Sequence, residues 1–187
     1  MGNEMQTRKK KEQAWKNKKY NRKFIMDLIE ACEANVNSYV KEVECLLKGD
    51  FYARAFALAY CALEEMAKRL LCCDYYTNLI SEEEFEKAFS DHKLKMAYLH
   101  NNCNITKGEN GELDFEIVYD KSKYEVWFEA RNKAMYVNKA FESVINPITE
   151  ITKEDAENLY LHLYRIIQRT NYYEGVNERM GSKAFYK

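Results

Sequence analysis

Between Ala55 and Leu63 the chain reads AFALAYCAL, nine consecutive residues that leave no charged position on any side of a helix. A helix at the surface of a protein keeps a polar stripe, whereas one that is apolar all round has to be enclosed by its neighbours. The run is too short to span a bilayer, which takes roughly 18 such residues. It therefore predicts a central helix surrounded by others. Punctuation agrees: only 6 Gly and 1 Pro occur in 187 residues, which favours long helices over many short strands. A length that fits one domain, with 47% hydrophobic and 32% charged residues, can bury a substantial core. The expectation is an all-α helical bundle.

Periodicity and capping signals divide the chain. From Asn21 to about Lys48, the positions Phe24, Leu28, Ala31, Asn35, Tyr39, Val43 and Leu46 recur at helical spacing. Gly49-Asp50 closes that helix, and the central helix follows from about Phe51 to Cys73. Ser81 with Glu84 forms a capping-box pattern, so a third helix begins at Glu82 and reaches about His100, interrupted near Ser90-Asp91. Residues 101–121 carry an Asn-Gly turn signal and an alternating LDFEIVY stretch, which predicts a short irregular or hairpin insertion. A fourth helix is expected from Ser122 to about Ser143, ended by Asn146-Pro147. A fifth starts behind Thr152, with Asp155 three residues on, and runs to about Tyr172. The result is about five helices in a domain over 21–173, flanked by an arm over 1–20 and a tail over 174–187.

Charge is near balance overall, at −1, but unevenly spread. Arg8, Lys9, Lys10, Lys11, Lys16, Lys18, Lys19, Arg22 and Lys23 face only Glu4 and Glu12 in the first 23 residues. Such an arm can track nucleic-acid phosphates, lie against the acidic remainder of the chain, or stay solvated. The six cysteines form no C-x-x-C pair and sit mostly at apolar helical positions, which reads as buried free thiols in a reducing compartment. Neither zinc spacing nor any other metal or cofactor motif is visible. With no apolar run behind the basic N-terminus, a secretory leader is not expected, and the reading is cytoplasmic with no membrane partner.

Three charged clusters interrupt otherwise apolar helices. Around EEMAKRL, the residues Arg54, Leu58, Cys61, Glu65, Lys68 and Cys72 fall along one face of the second helix. Glu64 and Lys68, and Glu65 and Arg69, stand at the i,i+4 spacing of surface ion pairs, each worth about 0.2–0.5 kcal/mol if exposed. On a buried helix such charges must be paired or line a cleft. SDHKLK supplies Asp91, His92, Lys93 and Lys95. FEARNKAMYVNK supplies Arg131 beside Trp127 and Phe128, with Tyr136 and Asn138 further along. The expectation is that Glu65, Lys68, Asp91, His92 and Arg131 converge.

Taken in order, GDFYARA leading to EEMAK, then DHKLK, then RNKAMYV, the sequence resembles the AbiV family of bacterial abortive-infection proteins, a branch of the HEPN-like helical bundles. The resemblance covers roughly residues 22–170. It implies phage defence in which infection leads to arrest of translation, a homodimer, and a phage-encoded protein that activates it. Many HEPN proteins are metal-independent ribonucleases in which an Arg is followed four to six residues later by a His. Arg131 matches that Arg, and Tyr136 stands where the His would be. A tyrosine, with an ordinary pKa near 10, is a poor base at neutral pH.

Two readings of the clusters stand side by side. In one, the protein is a ribonuclease: Arg131 stabilises the phosphorane, His92 or Tyr136 moves protons, and Glu65, Lys68 and Asp91 orient them. Lys93, Lys95, Arg54 and Asn138 then bind RNA. In the other, the same charges hold the dimer together and display a surface to the translation machinery or a phage partner. A plain structural network, with function carried by the arm, is a third.

Overall fold

The computed structural model describes residue 15 and residues 18–102, 121–140 and 143–175. Seven helices and one small hairpin occur among them: α1 Arg22–Lys48, α2 Tyr52–Tyr76, α3 Glu82–Ser90, α4 His92–Asn102, α5 Lys121–Met135, β1 Asn138–Ala140, β2 Ser143–Ile145, α6 Pro147–Glu150 and α7 Lys153–Gly175. The chain is an all-α bundle in which α2 packs against all six other helices. Ala55, Ala59, Tyr60, Ala62 and Leu63 have no exposed surface at all, as the AFALAYCAL run requires.

α1 and α2 form an antiparallel pair. Asn21 caps α1 by accepting from the Phe24 amide. At its far end Asp50 takes a left-handed conformation (φ 61°), while the Gly49 and Phe51 amides donate to Cys45 and Leu46. Gly49 is required there for space: a Cβ would stand 2.9 Å from the Phe51 ring. The buried face of α1 is Ile25, Cys32, Val36 and Val43; of the expected stripe Val43 is buried and Leu28, Tyr39 and Leu46 pack part-buried against the core, whereas Phe24, Ala31 and Asn35 lie one residue off the buried positions. Phe24 is 44% exposed. Two neighbouring stripes of α1 are apolar enough to compete, and the branched side chains of Ile25, Val36 and Val43 fill the seam against α2 where Asn35 would have brought a buried amide.

Ser81 and Glu84 form a complete capping box on α3. The expected break between α3 and α4 falls at Asp91. Thr152 and Asp155 cap α7 reciprocally: Thr152 N donates to Asp155 Oδ2 (2.9 Å) and Asp155 N to Thr152 Oγ1 (3.1 Å). The fourth helix stops eight residues earlier than expected, at Met135. The following residues pair as an antiparallel hairpin, Asn138 opposite Ile145, Lys139 opposite Val144 and Ala140 opposite Ser143. Tyr136, Val137, Val144 and Ile145 are aromatic or β-branched and gain little from helix, so pairing wins. The hairpin anticipated near 101–121 falls on residues 103–120, outside those described. Pro147 opens the extra turn α6, capped by Asn146.

The root of the basic arm is seated on the fold. Lys18 Nζ donates to the Tyr75 carbonyl (2.9 Å) and lies 3.7 Å from the Tyr75 ring centroid and 4.4 Å from that of Trp15. Trp15 meets Tyr75 edge-on at 5.9 Å, and Tyr20 donates to Glu86. These residues cover a second apolar cluster of Ile25, Leu71, Cys72, Tyr75 and Phe85. Trp15→Ala is expected to lower the unfolding free energy by about 2 kcal/mol, short of the ~3–5 of a fully buried ring. Urea denaturation reads this out, and an unmoved midpoint would mean the seat is not part of the fold.

Candidate functional site

The charges of EEMAKRL each meet a different neighbour. Glu64, only 6% exposed, places Oε1 2.5 Å from His92 Nδ1 on α4. Glu65 Oε1 accepts from Lys68 Nζ at 2.6 Å. Arg69 Nε stands 3.5 Å from Glu33 Oε2 on α1. Glu64 and Arg69 thus meet partners on the helices facing α2, while Glu65 and Lys68 pair within it. Burial pulls the Lys68 ammonium down, but the Glu65 carboxylate outweighs that and its pKa ends above the ordinary value.

His92 opens α4. Asp91 Oδ1 accepts from the amides of Lys93 (2.8 Å) and Leu94 (2.9 Å), so Asp91 caps the helix and fixes where His92 begins. In the tautomer that donates Nδ1–H to the Glu64 carboxylate, Nε2 is the acceptor. The His92 side chain is 47% exposed, and its ring lies 6.2 Å from that of Phe128 on α5. Lys93 Nζ stands 6.0 Å from the same Phe128 centroid.

Arg131 follows Phe128 by one turn and is half-buried. Its Nη1 donates to Asn132 Oδ1 (3.1 Å), its guanidinium is within hydrogen-bonding reach of the Cys61 thiol, and its Nε is enclosed with no hydrogen-bond partner. Burial pushes the Cys61 thiol up, and Arg131 pulls it back in part. The Tyr60 hydroxyl, also enclosed and unpartnered, is pushed up by burial, further by Glu64, and opposed by Arg131. The contact between α4 and α5 at this wall is that of the His92 and Phe128 rings, with Arg131 one turn beyond Phe128.

Lys95, one turn beyond His92, was expected to face RNA and is instead 4% exposed. Among the described residues no carboxylate lies at ion-pair distance from it. Burial holds its pKa below the ordinary value; Glu64 is the strongest opposing charge, Lys68 adds to the depression, and Glu65 and Asp91 resist it. Tyr136 lies past the end of α5, 58% exposed, with its amide donating to Asn132 O (3.2 Å) and no hydrogen bond or ion pair to the cluster. Arg54 is exposed near the start of α2, ten residues before Glu64, or about 15 Å along the axis. Asn138 sits in β1 opposite Ile145. Among the described residues no three His, Cys, Asp or Glu are grouped to hold a metal ion.

The partner of His92 is Glu64, where sequence spacing favoured Glu65. The signal was there: Glu64 aligns with Tyr60, Ala67 and Leu71, the apolar side of α2, whereas Glu65 aligns with Lys68. At the other end of α2 an apolar groove of about 1280 Å³ runs between Phe51, Ala57, Leu58, Met135, Val137 and Ile148. Its rim carries Lys41 and Arg54 against Glu42 and Asp50.

A depressed lysine weakens the fold throughout the range below its folded pKa, and the penalty fades as pH rises from there to the 10.5 of an ordinary lysine. Lys95→Met is therefore expected to raise the thermal midpoint at pH 7 by about 3 °C, equivalent to roughly 1 kcal/mol in a chain of this size. Its advantage over the wild type should shrink as pH approaches 10.5. Calorimetry across that range checks both parts.

A family model described as AbiV, of the HEPN group, matches residues 24–168, from the first turn of α1 into the last turns of α7. No curated protein and no solved structure matches the chain. The match takes in Glu64, His92, Lys95 and Arg131. Together with the all-α bundle built round α2, it means that the chain belongs to the AbiV family of HEPN-like proteins, whose role is abortive infection in defence against phage.

Proposed function

We propose that this AbiV-family protein arrests translation during infection by acting on RNA, with His92 as the proton acceptor. The observation that carries this reading is the 2.5 Å bond from His92 Nδ1 to Glu64, with the His92 ring 6.2 Å from that of Phe128, the residue one turn before Arg131. The helix bearing Arg131 lacks a histidine after it, and a different helix supplies one. Histidine is the side chain suited to take and return a proton near neutral pH.

In the reaction His92 Nε2 removes the proton from a ribose 2′-hydroxyl. The 2′-oxygen forms a bond to the adjacent phosphorus, the bond from phosphorus to the 5′-oxygen breaks, and the departing oxygen takes a proton from solvent. The products are a 2′,3′-cyclic phosphate and a 5′-hydroxyl. Arg131 offsets the charge that builds on the phosphoryl oxygens, and Lys93 lies beside the same Phe128 face for the neighbouring phosphate. A phage-encoded activator fits an effector that must stay silent before infection.

His92→Ala is expected to lower cleavage by about 10²–10⁴-fold, the usual worth of general acid–base help, while Tyr136→Phe keeps most of it. The measurement is cleavage of total RNA by purified protein, with and without extract of infected cells. If His92→Ala and Arg131→Ala both still arrest phage at wild-type levels, the protein acts by binding instead.

A second copy of the chain is the partner that best suits the apolar groove. Ile148, 82% exposed, lines the groove and projects from it, so the same face offers both shape and counter-shape. Its rim holds two basic and two acidic residues, which a two-fold axis can set against one another. Light scattering at micromolar concentration should give a dimer for the wild type and a monomer for Ile148→Glu; a monomeric wild type overturns this.

A further inference from the structure

Helix α3 has little of its own to hold it to the bundle. Of its nine residues only Phe85 is buried, with Ala88 and Phe89 half-buried beside it. The Phe85 ring lies between two others: Tyr75 of α2, stacked at 4.7 Å, and Tyr20 of the arm root, edge-on at 6.0 Å. The arm also ties down the polar side of α3. Glu82 Oε2 accepts from the Lys19 amide (2.9 Å) and from the Tyr75 hydroxyl (3.1 Å). Glu86 Oε1 accepts from Lys19 Nζ and from the Tyr20 hydroxyl, both at 2.6 Å. Neither carboxylate serves the helix itself, whose cap is made by Ser81 and Glu84. At its other end α3 is bolted to α4 through one residue. The Asp91 amide donates to Lys87 O of α3 (3.3 Å), and the Lys95 amide of α4 donates to Asp91 O (3.0 Å). The Asp91 carboxylate takes the Lys93 and Leu94 amides as well. His92 follows directly, so a shift of α3 passes into the turn that carries it.

We propose that Glu82 and Glu86 are positioning residues: by strapping the root of the basic arm across α3 they hold Asp91, and with it His92, at the place where the imidazole meets Glu64. This rests on the reading of His92 as proton acceptor. An exposed ion pair alone contributes little. Here each carboxylate takes two hydrogen bonds, and the arm brings the Tyr20 ring onto Phe85 at the same time. With the strap loosened, Phe85 keeps its stack on Tyr75 but loses its outer cover, and α3 opens more often on its own. Each opening breaks the bond from the Asp91 amide to Lys87 and frees the start of α4. A proton acceptor displaced in this way still lets RNA bind, but it stands out of line with the 2′-hydroxyl for part of the time.

The test is native-state amide hydrogen exchange on the full chain, comparing the wild type with the double variant Glu82→Ala, Glu86→Ala. Alanine leaves the capping box in place and favours helix, so α3 itself still forms. The amides of α3, of Asp91 and of Lys95 should exchange about tenfold faster, the scale of a lost hydrogen bond to a charged group. Those of Leu163 and Ile166 in α7 should keep their rates, and Glu83→Ala, on the same turn but outside the strap, should change nothing. The pair Glu82→Gln, Glu86→Gln carries the same expectation with a smaller effect should the alanine pair not fold. Unchanged exchange overturns the proposal. So does acceleration that stops at Ser90, which would mean that α3 moves without α4, or acceleration that reaches α7 equally, which would mean general destabilisation. In RNA cleavage the double variant should lose about tenfold in kcat with KM unchanged, as for a displaced acceptor. A kcat that holds while Asp91 exchanges faster counts against the positioning role. If the wild type cleaves no RNA, the reading of His92 fails, while exchange still decides whether the strap reaches α4.

Discussion

The enclosure of α2 is the constraint on which the rest depends. A helix with neighbours on every side limits a polar group's route to water, so a charge it buries dictates what the facing helix must present. Glu64 requires a donor from α4 and finds His92. Arg69 draws Glu33 from α1. Cys61 lies within reach of the guanidinium of Arg131 from α5. The bundle is assembled around these demands as much as around Leu63, Leu70 and the alanines that let the helices approach.

The same enclosure turns ordinary side chains into a chemical arrangement. On an exposed helix Glu64 and His92 would exchange partners with water, and their bond would carry little energy. Buried in α2, the carboxylate fixes one ring nitrogen of a His92 side chain that is itself half-exposed. Asp91 contributes by capping α4, which sets the helix register and with it the place of His92. Position along the helix and chemical role are here one property.

Much of this was legible in the sequence. The apolar run fixed the place of α2, and the caps at Ser81 and Thr152 set helix starts to the residue. The motif order EEMAK, DHKLK, RNKAMYV pointed to the family. What stayed hidden was decided by competition between near-equals. The two adjacent apolar stripes of α1 differ by one residue, and only the seam against α2 chooses between them. Glu64 and Glu65 are likewise neighbours, and the facing helix rather than local spacing selects the one that bonds His92. The early end of α5 depended on pairing between residues 138–140 and 143–145, a contact that helical periodicity does not register. Lys95 looked like a surface lysine because its own helix gives no sign of what lies over it.

The order in which these parts are synthesised adds a further consequence. α1 and α2 are joined by a tight turn and can meet as soon as both leave the ribosome, so their pairing is local and quick. Yet the face of α2 that belongs to α7 waits for almost the whole chain, since Leu159, Leu163 and Ile166 come near its end. Throughout that interval the growing polypeptide presents a strip of uncovered alanine, leucine and tyrosine. The architecture that makes the finished charges so well placed also gives the nascent chain its longest exposure to mispairing and chaperone capture.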